Sequence, residues 1–71
     1  MKHEKQKSPV RLARDAAGLS QVDLALRAGK SIATVRLAEA GVITLNTAKA
    51  LAPVLGVEPA ALMPSATNRA A

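Results

Sequence analysis

Few residues of this sequence could perform chemistry on a substrate. The single histidine, His3, stands in a polar N-terminal run without a candidate partner, and the chain has no cysteine. The sequence shows no nucleophile paired with a base, no cluster of metal ligands and no glycine-rich phosphate loop. We therefore expect a protein that is not an enzyme and that uses no metal, no cofactor and no small-molecule ligand.

The basic residues offer a different chemistry, the binding of a polyanion. The formal net charge is +5. Three lysines against Glu4 place +2 of it in residues 1–7, whereas residues 8–63 hold six basic and four acidic residues. We expect residues 1–7 to be a flexible basic arm attracted to phosphates. The alternative is a lysine-rich terminus that only aids solubility.

The chain has no Phe, Tyr or Trp. Proteins that bind single strands or RNA loops usually stack bases on such rings, so these functions are disfavoured. An aliphatic core in so short a chain allows one domain, placed at residues 8–63, which rarely gains more than about 3–5 kcal/mol. Residues 64–71 are expected to form a flexible tail. No apolar run resembles a membrane span or a signal peptide, so we expect a cytoplasmic protein.

Helix-start and helix-stop residues recur at short intervals, and no stretch alternates like a strand, so the sequence predicts an all-α fold of five helices. Four helices are expected between Ser8 and Gly18, Ser20 and Gly29, Ser31 and Gly41, and Thr44 and Gly56, with a short fifth from Glu58 to about Met63. Pro53 predicts a kink or an early end of the fourth helix near Ala52, because it removes a backbone donor.

Apolar residues at helical spacing give each helix an expected inward face. The residues are Leu12, Ala13, Ala16 and Ala17 in the first helix; Leu24, Ala25 and Ala28 in the second; Ile32, Val35 and Ala38 in the third; and Leu45, Ala48, Leu51, Ala52 and Leu55 in the fourth.

The second and third helices are joined by the three-residue turn Gly29, Lys30 and Ser31. A turn this short that contains glycine makes the next helix cross at a steep angle, which is helix-turn-helix geometry. We expect a helix-turn-helix from about Gln21 to Glu39.

Several ordered motifs between residues 10 and 63 extend this pattern. They are Gly18-Leu19-Ser20-Gln21, Leu24-Ala25, Gly29, Ser31, Thr34-Val35, Glu39-Ala40-Gly41, Leu51-Ala52, Leu55-Gly56-Val57 and Glu58-Pro59-Ala60-Ala61-Leu62. Their order and spacing resemble the lambda-repressor/Cro-like helix-turn-helix family, of the xenobiotic-response-element type. The resemblance implies a compact five-helix DNA-binding domain with the helix-turn-helix formed by helices 2 and 3.

The resemblance also implies roles for individual residues. Gln21 matches a position that contacts a phosphate at the positive end of a helix. The third helix, at about residues 32–39, matches the recognition helix that enters the major groove. Its groove-facing residues would be Ser31, Ile32, Ala33, Thr34, Arg36 and Leu37. Lys30 stands where the family usually has an apolar residue, and its ammonium could reach a phosphate. Arg14 and Glu39 match a structural ion pair.

The expected reading surface is unusually apolar. Ile32, Ala33 and Leu37 stand where the family often has polar residues. Such side chains can contact a thymine methyl group but cannot make bidentate hydrogen bonds to guanine or adenine. Thr34 and Arg36 are then the main polar side chains that could contact base edges. The alternative for Arg36 is a solvated surface charge.

These observations support two functions of different classes. The first is a sequence-specific regulator of transcription, a repressor, that binds double-stranded DNA as a homodimer and is therefore associated with the nucleoid. Its dimer surface would involve Val57, Leu62 and Met63 with part of helix four. The second is a protein-binding module that keeps the fold. Its partner surface would be Ile32, Ala33, Leu37, Val42 and Ile43, unless some of these side chains turn inward.

Overall fold

A computed structural model describes residues 7–64 of the chain. Within them lie four α-helices and one 3₁₀ helix, and no strand. The elements are α1 (Pro9–Ala17), α2 (Gln21–Ala28), α3 (Ile32–Glu39), α4 (Leu45–Leu55) and the 3₁₀ helix Pro59–Leu62. The all-α prediction is confirmed. The prediction of five α-helices is wrong in its last element, because a four-residue segment between Pro59 and Pro64 is too short for α-helical bonding to develop. The expected basic arm and C-terminal tail lie outside the described residues, except for Lys7 and Pro64.

Each α-helix begins at a hydroxyl side chain that accepts a hydrogen bond from the backbone amide three residues later. These N-caps are Ser8, Ser20, Ser31 and Thr44, with bonds of 3.0 to 3.2 Å. The cap of α2 is reciprocal, since Asp23 also accepts from the amide of Ser20. Side-chain caps of this kind stabilise a helix end by about 1 kcal/mol each. Short helices therefore begin at defined residues.

The core is small and contains four alanines among its ten buried residues. They are Val10, Leu24, Ala25, Val35, Ala38, Ala48, Leu51, Ala52, Leu55 and Leu62. The alanines lie on α2, α3 and α4, so the backbones of these helices can approach closely. Packing of α3 against α2 and α1 places one face of α3 inward and leaves the other exposed, while α4 packs against α2 and α1.

The expected inward face of α1 is wrong. Leu12 is 54% exposed and Ala16 and Ala17 are exposed, whereas Val10 is fully buried and Ala13 packs beside it. Val10 and Ala13 are three residues apart and share a face, while Leu12 lies about 200° around the helix from Val10, at about 100° per residue.

Pro53 neither ends α4 near Ala52 nor prevents its last turn. The helix continues to Leu55 and ends at Gly56, whose backbone is left-handed (φ 71°). Pro53 and Lys49, whose carbonyl would have received the missing hydrogen bond, are both exposed. That carbonyl is therefore open to water, and burial of Leu55 offsets the lost bond.

The apolar residues around the 3₁₀ helix belong to the core of the single chain. Leu62 is 1% exposed, and Val57 and Met63 pack against the buried cluster. The expectation that Leu62 contributes to a dimer surface is therefore wrong, because its side chain closes the core under α1 and α4.

Candidate nucleic-acid interface

The turn between α2 and α3 is fixed by backbone bonds at the end of α2. Gly29 has φ 71°, a left-handed conformation that glycine adopts without a steric penalty. The amide of Lys30 then donates to the carbonyl of Ala25 at 2.9 Å. Only three residues join α2 to α3, and α3 begins immediately after Ser31. This is the helix-turn-helix expected from the sequence.

The outward face of α3 is a stripe of apolar side chains with one cation. Val35 and Ala38 are buried against the other helices, so the residues on the opposite side face outward. Ile32 is 37% exposed and Leu37 is 53% exposed, and Ala33 and Arg36 are also exposed. These four residues are called the outward stripe below. No acidic residue of α3 belongs to it, because Glu39 is partly buried on another side.

Ser31 and Thr34 were both expected to face the groove, but their hydroxyl groups form hydrogen bonds at the start of α3. The Ser31 hydroxyl accepts from the Thr34 amide at 3.0 Å, and the two hydroxyl oxygens are 2.9 Å apart. Thr34 is also partly buried. Their hydrogen-bonding capacity is therefore already partly used within the chain, which the sequence pattern did not reveal.

Arg14 and Glu39 form a partly buried ion pair between α1 and the end of α3. Arg14 Nε donates to Glu39 Oε2 and Arg14 Nη2 donates to Glu39 Oε1 at 3.3 Å. Arg14 Nη1 donates to the carbonyl of Leu19 at 2.8 Å, a contact that sequence reasoning missed. The side chains are 12% and 8% exposed. The guanidinium thus connects α1, the α1–α2 loop and α3.

The titration of this pair follows from its contacts. Burial alone would raise the pKa of Glu39, but hydrogen bonds from Arg14 and Gln21 outweigh it and hold the pKa below its ordinary value. The pKa of Arg14 is raised, chiefly by its hydrogen bond to Glu39. Both residues are therefore charged at neutral pH.

Gln21 connects this pair to the outward stripe. Its Nε2 donates to Glu39 Oε1 at 3.0 Å, and its Oε1 accepts from Arg36 Nε at 3.5 Å, a long contact. The bond to Glu39 fixes the orientation of the amide, so that the oxygen faces Arg36. The position expected to contact a phosphate therefore also positions Arg36.

Four cations have no acidic partner within 4.0 Å among residues 7–64. They are Arg27, Lys30, Arg36 and Lys49. Three of them lie between the end of α2 and the middle of α3. In contrast, Lys7 and Arg11 share Asp15 at 3.1 and 3.8 Å on the surface of α1. The helix-turn-helix therefore carries most of the uncompensated positive charge of the described chain. Lys30 is partly buried, as expected if its stem packs.

The residues expected to form an apolar partner surface divide into two groups. Ile43 packs against the core and does not belong to an exposed patch. Val42 and Leu45 are both more than half exposed. The amide of Val42 donates to the carbonyl of Leu37 at 2.8 Å, which brings the loop after α3 next to the outward stripe. The exposure of Leu45 was not foreseen, because helical spacing placed it on the inward face.

Residues 7–64 contain no group of three potential metal ligands and no concave pocket. None of the described helices has the length and apolar character needed to cross a membrane.

The described residues form an all-α domain with a helix-turn-helix. One face of its second helix is exposed, and nearby cations have no acidic partner among residues 7–64. These features define the class of helix-turn-helix nucleic-acid-binding domains. A family model described as helix-turn-helix matches residues 10–62, which is most of the chain. The chain therefore belongs to the lambda-repressor/Cro-like helix-turn-helix family. The domain of this family is a DNA-binding domain of transcription regulators. Comparisons with curated proteins and with solved structures gave no significant match.

Proposed function

We propose that the protein is a sequence-specific repressor of transcription that binds double-stranded DNA as a homodimer, with α3 inserted into the major groove. The observation that carries the proposal is the exposed outward face of α3 within a chain of this family. Inserting that face into a groove buries Ile32 and Leu37 and brings Arg36 to the base edges. The protein acts at the nucleoid in the cytoplasm.

The unpaired charges support the same orientation on DNA. Arg27 and Lys30 lie at the end of α2 and in the turn, next to the start of α3, where the phosphates flanking the groove would pass. Gln21 stands at the first residue of α2, whose N-terminus favours an anion. A phosphate there competes with Glu39 for the Gln21 amide, so we propose that Gln21 exchanges one partner for the other on binding.

A homodimer follows from how little DNA one α3 can read. A single domain of this size contacts only a few base pairs, so two copies on half-sites about 34 Å apart are needed for specificity. Since Leu62 is buried within the chain, the dimer contact is proposed to use exposed residues elsewhere.

The test is selection of duplexes from a random pool by the purified full chain, followed by affinity measurement on the enriched sequence. We expect an enriched inverted repeat with half-sites one helical turn apart.

Arg36→Ala should reduce the ratio of operator to random-DNA affinity by about tenfold or more, as expected when a base-specific hydrogen bond is removed. Thr34→Ala should reduce it less, since that hydroxyl is engaged with Ser31. The matched control is Lys49→Ala, which removes an unpaired cation from α4 and should leave the ratio unchanged. A pool that stays unenriched contradicts the proposal.

Repression has its own test. The selected operator is placed across a promoter and transcription is measured in vitro with increasing protein. We expect transcription to fall in parallel with operator occupancy, because a bound dimer excludes the polymerase. Increased transcription would identify an activator instead.

A protein-binding module is the second candidate, favoured by the adjacent and exposed Leu37 and Val42. The two functions differ in their response to salt. DNA binding weakens steeply with rising salt because counterions are released, whereas an apolar protein interface is little affected. A chain that binds duplex DNA weakly and with little salt dependence would favour the second candidate.

A further inference from the structure

The outward stripe contains one hydrogen-bonding side chain, Arg36. Ile32, Ala33 and Leu37 have no polar atoms, and the neighbouring hydroxyls of Ser31 and Thr34 bond to each other. A helix with this surface has two main means of reading a base sequence. Its arginine can donate hydrogen bonds, and its apolar side chains can contact apolar groups.

The major groove presents only one apolar group, the C5 methyl of thymine, whereas the other base edges carry donors and acceptors. An apolar side chain set against a donor or acceptor removes water from it without replacing the hydrogen bond, which is unfavourable. The apolar positions of the stripe therefore favour thymine and disfavour the polar edges of other bases.

The stripe matches a short run of base pairs in length. Ile32 and Leu37 are five residues apart, or about 7.5 Å along the helix at about 1.5 Å per residue. At about 3.4 Å per base pair this covers two to three base pairs. Arg36 lies within that span, so one base pair is available to it and its neighbours face the apolar side chains.

Arg36 has two donor groups available for a bidentate contact. Its Nε points to Gln21 Oε1 at 3.5 Å, which leaves its two terminal amino groups without a partner among the described residues. Two parallel donors match the O6 and N7 acceptors of guanine.

We infer that each half-site of the operator consists of one G·C pair read by Arg36, flanked by thymines whose methyl groups contact Ile32 and Leu37. The inference rests on the proposed DNA-binding function and specifies its ligand. DNA is the occupant of the stripe, rather than a protein, because the stripe contains no acidic residue and the helix-turn-helix that presents it holds Arg27, Lys30 and Arg36, which have no acidic partner within 4.0 Å among residues 7–64. This charge complements a phosphate backbone.

The experiment replaces each thymine of the selected operator half-site by deoxyuridine, which removes only the methyl group and keeps base pairing. We expect the Kd for the full chain to rise about fourfold at each contacted thymine, because burying one such carbon contributes about 0.8 kcal/mol. Since the random pool carries no methylated cytosine, any methyl group selected from it belongs to thymine.

Protein variants assign each methyl to a side chain. Ile32→Ala and Leu37→Ala should each weaken binding to the thymine operator and abolish the effect of one deoxyuridine. Leu12→Ala is the matched control, since Leu12 on α1 is 54% exposed and Leu37 is 53% exposed. It should leave the response to every deoxyuridine unchanged. Circular dichroism verifies that each variant folds.

The outcomes separate this inference from the proposed function. If no operator is selected, the proposed function fails. If an operator is selected but every deoxyuridine is neutral, or its half-site lacks thymine, DNA binding stands and the thymine reading is overturned. If Leu37→Ala leaves DNA binding unchanged and abolishes binding of a protein partner, the stripe is a protein-binding surface and the inference is wrong.

Discussion

Arg14 and Glu39 differ from the other ion pairs of the chain in their burial. Asp15 is exposed and lies within 4.0 Å of Lys7, Arg11 and, at 3.9 Å, Arg14, and pairs with so exposed a carboxylate contribute little to stability. The guanidinium of Arg14 and the carboxylate of Glu39 are nearly removed from water, so each depends on the other. Replacing one partner leaves a buried charge, whereas replacing both by apolar residues does not.

Glu39→Gln should therefore lower the free energy of unfolding by about 3 kcal/mol, the lower end of the range for breaking a buried pair. The double variant Arg14→Met/Glu39→Leu should recover most of that loss. Urea unfolding followed by far-UV circular dichroism measures both, since the chain has no aromatic residue to report by fluorescence. Asp15→Asn is the surface control and should change stability little. A double variant no more stable than Glu39→Gln would show that the unpaired arginine is not the cause.

The same pair predicts a loss of stability in acid. Because the pKa of Glu39 is lowered in the folded chain, the unfolded chain binds more protons at acid pH, and the free energy of unfolding rises with pH there. The contribution is complete above the ordinary pKa of 4.5 and is lost as pH falls through the folded pKa. Unfolding free energies measured as pH falls below 4.5 should decrease, and less steeply in Arg14→Met/Glu39→Leu. The pKa of Asp15 is also lowered, chiefly by its hydrogen bond from Lys7. The Asp15→Asn variant therefore measures how much of the pH dependence of stability comes from Asp15. Equal slopes in wild type and double variant would contradict the assignment.

At the scale of elements, α4 contains an internal proline, which cannot donate a backbone hydrogen bond. Pro53 lies in the last turn, on the exposed side, and the helix closes normally at Gly56. Its presence therefore weakens a helix that burial of Leu51, Ala52 and Leu55 holds in place.

Pro53→Ala should raise the free energy of unfolding by about 2 kcal/mol. This is the roughly 3 kcal/mol that an internal proline costs, less the roughly 1 kcal/mol by which proline restricts the unfolded chain. Thermal unfolding by circular dichroism measures the gain. Pro64→Ala, beyond the 3₁₀ helix, is the control and should have little effect. An unchanged Tm for Pro53→Ala would contradict the prediction and show that the proline does not weaken α4 at this position.

The sequence predicted α2 and α3 well because their ends are marked by chemistry that acts locally. A capping serine, an αL glycine and a three-residue turn require no knowledge of the rest of the fold. The inward faces of the helices were harder to predict. In α1, a stripe of leucine and alanines competed with Val10, and only packing against α4 and the 3₁₀ helix decides between them.

The candidate site was likewise predicted in part from the sequence. The family pattern placed Ile32, Ala33, Arg36 and Leu37 on the outward side of α3, and the structure exposes all four. Helical spacing alone predicts Ile32 on the inward face with Val35 and Ala38, and that prediction is wrong, because Ile32 is 37% exposed. It could not predict that the Gln21 amide is held by Glu39, or that the Thr34 hydroxyl is held by Ser31. Those contacts depend on rotamers chosen among several partners in three dimensions.

At the scale of the whole molecule, charge is distributed unevenly between the described domain and the rest of the chain. Residues 7–64 hold seven basic and four acidic residues, a net charge of +3 of the total of +5. Part of that charge is used within the domain, since Arg14 is paired to Glu39 and Lys7 to Asp15. Residues 1–6 add +1, from Lys2 and Lys5 against Glu4, and Arg69 after the domain adds the remaining +1.

Deletion of Met1–Lys7 should weaken binding to operator and random DNA alike. It should also reduce the dependence of log K on log salt by about 0.9 for each phosphate that the arm neutralises in the intact protein. Titrations at three or more salt concentrations measure this slope. Lys2→Gln/Lys5→Gln, which keeps the length and the Lys7–Asp15 pair, should reproduce most of the effect if charge is the cause. An affinity that is unaltered at low salt would show that residues 1–7 only aid solubility.

The outward stripe of α3 touches the rest of the fold through one side-chain hydrogen bond, that of Arg36 with Gln21. Substitutions at Ala33 and Leu37 should leave the folding free energy within about 0.5 kcal/mol of its present value, whereas Ile32, which is only 37% exposed, should be less tolerant. Mutation can therefore change the exposed surface of α3 without passing through unfolded intermediates or requiring compensation in the core. If α3 reads the operator as proposed, DNA specificity can diverge faster than the fold in a lineage descended from this protein, with Arg36 and Gln21 changing together.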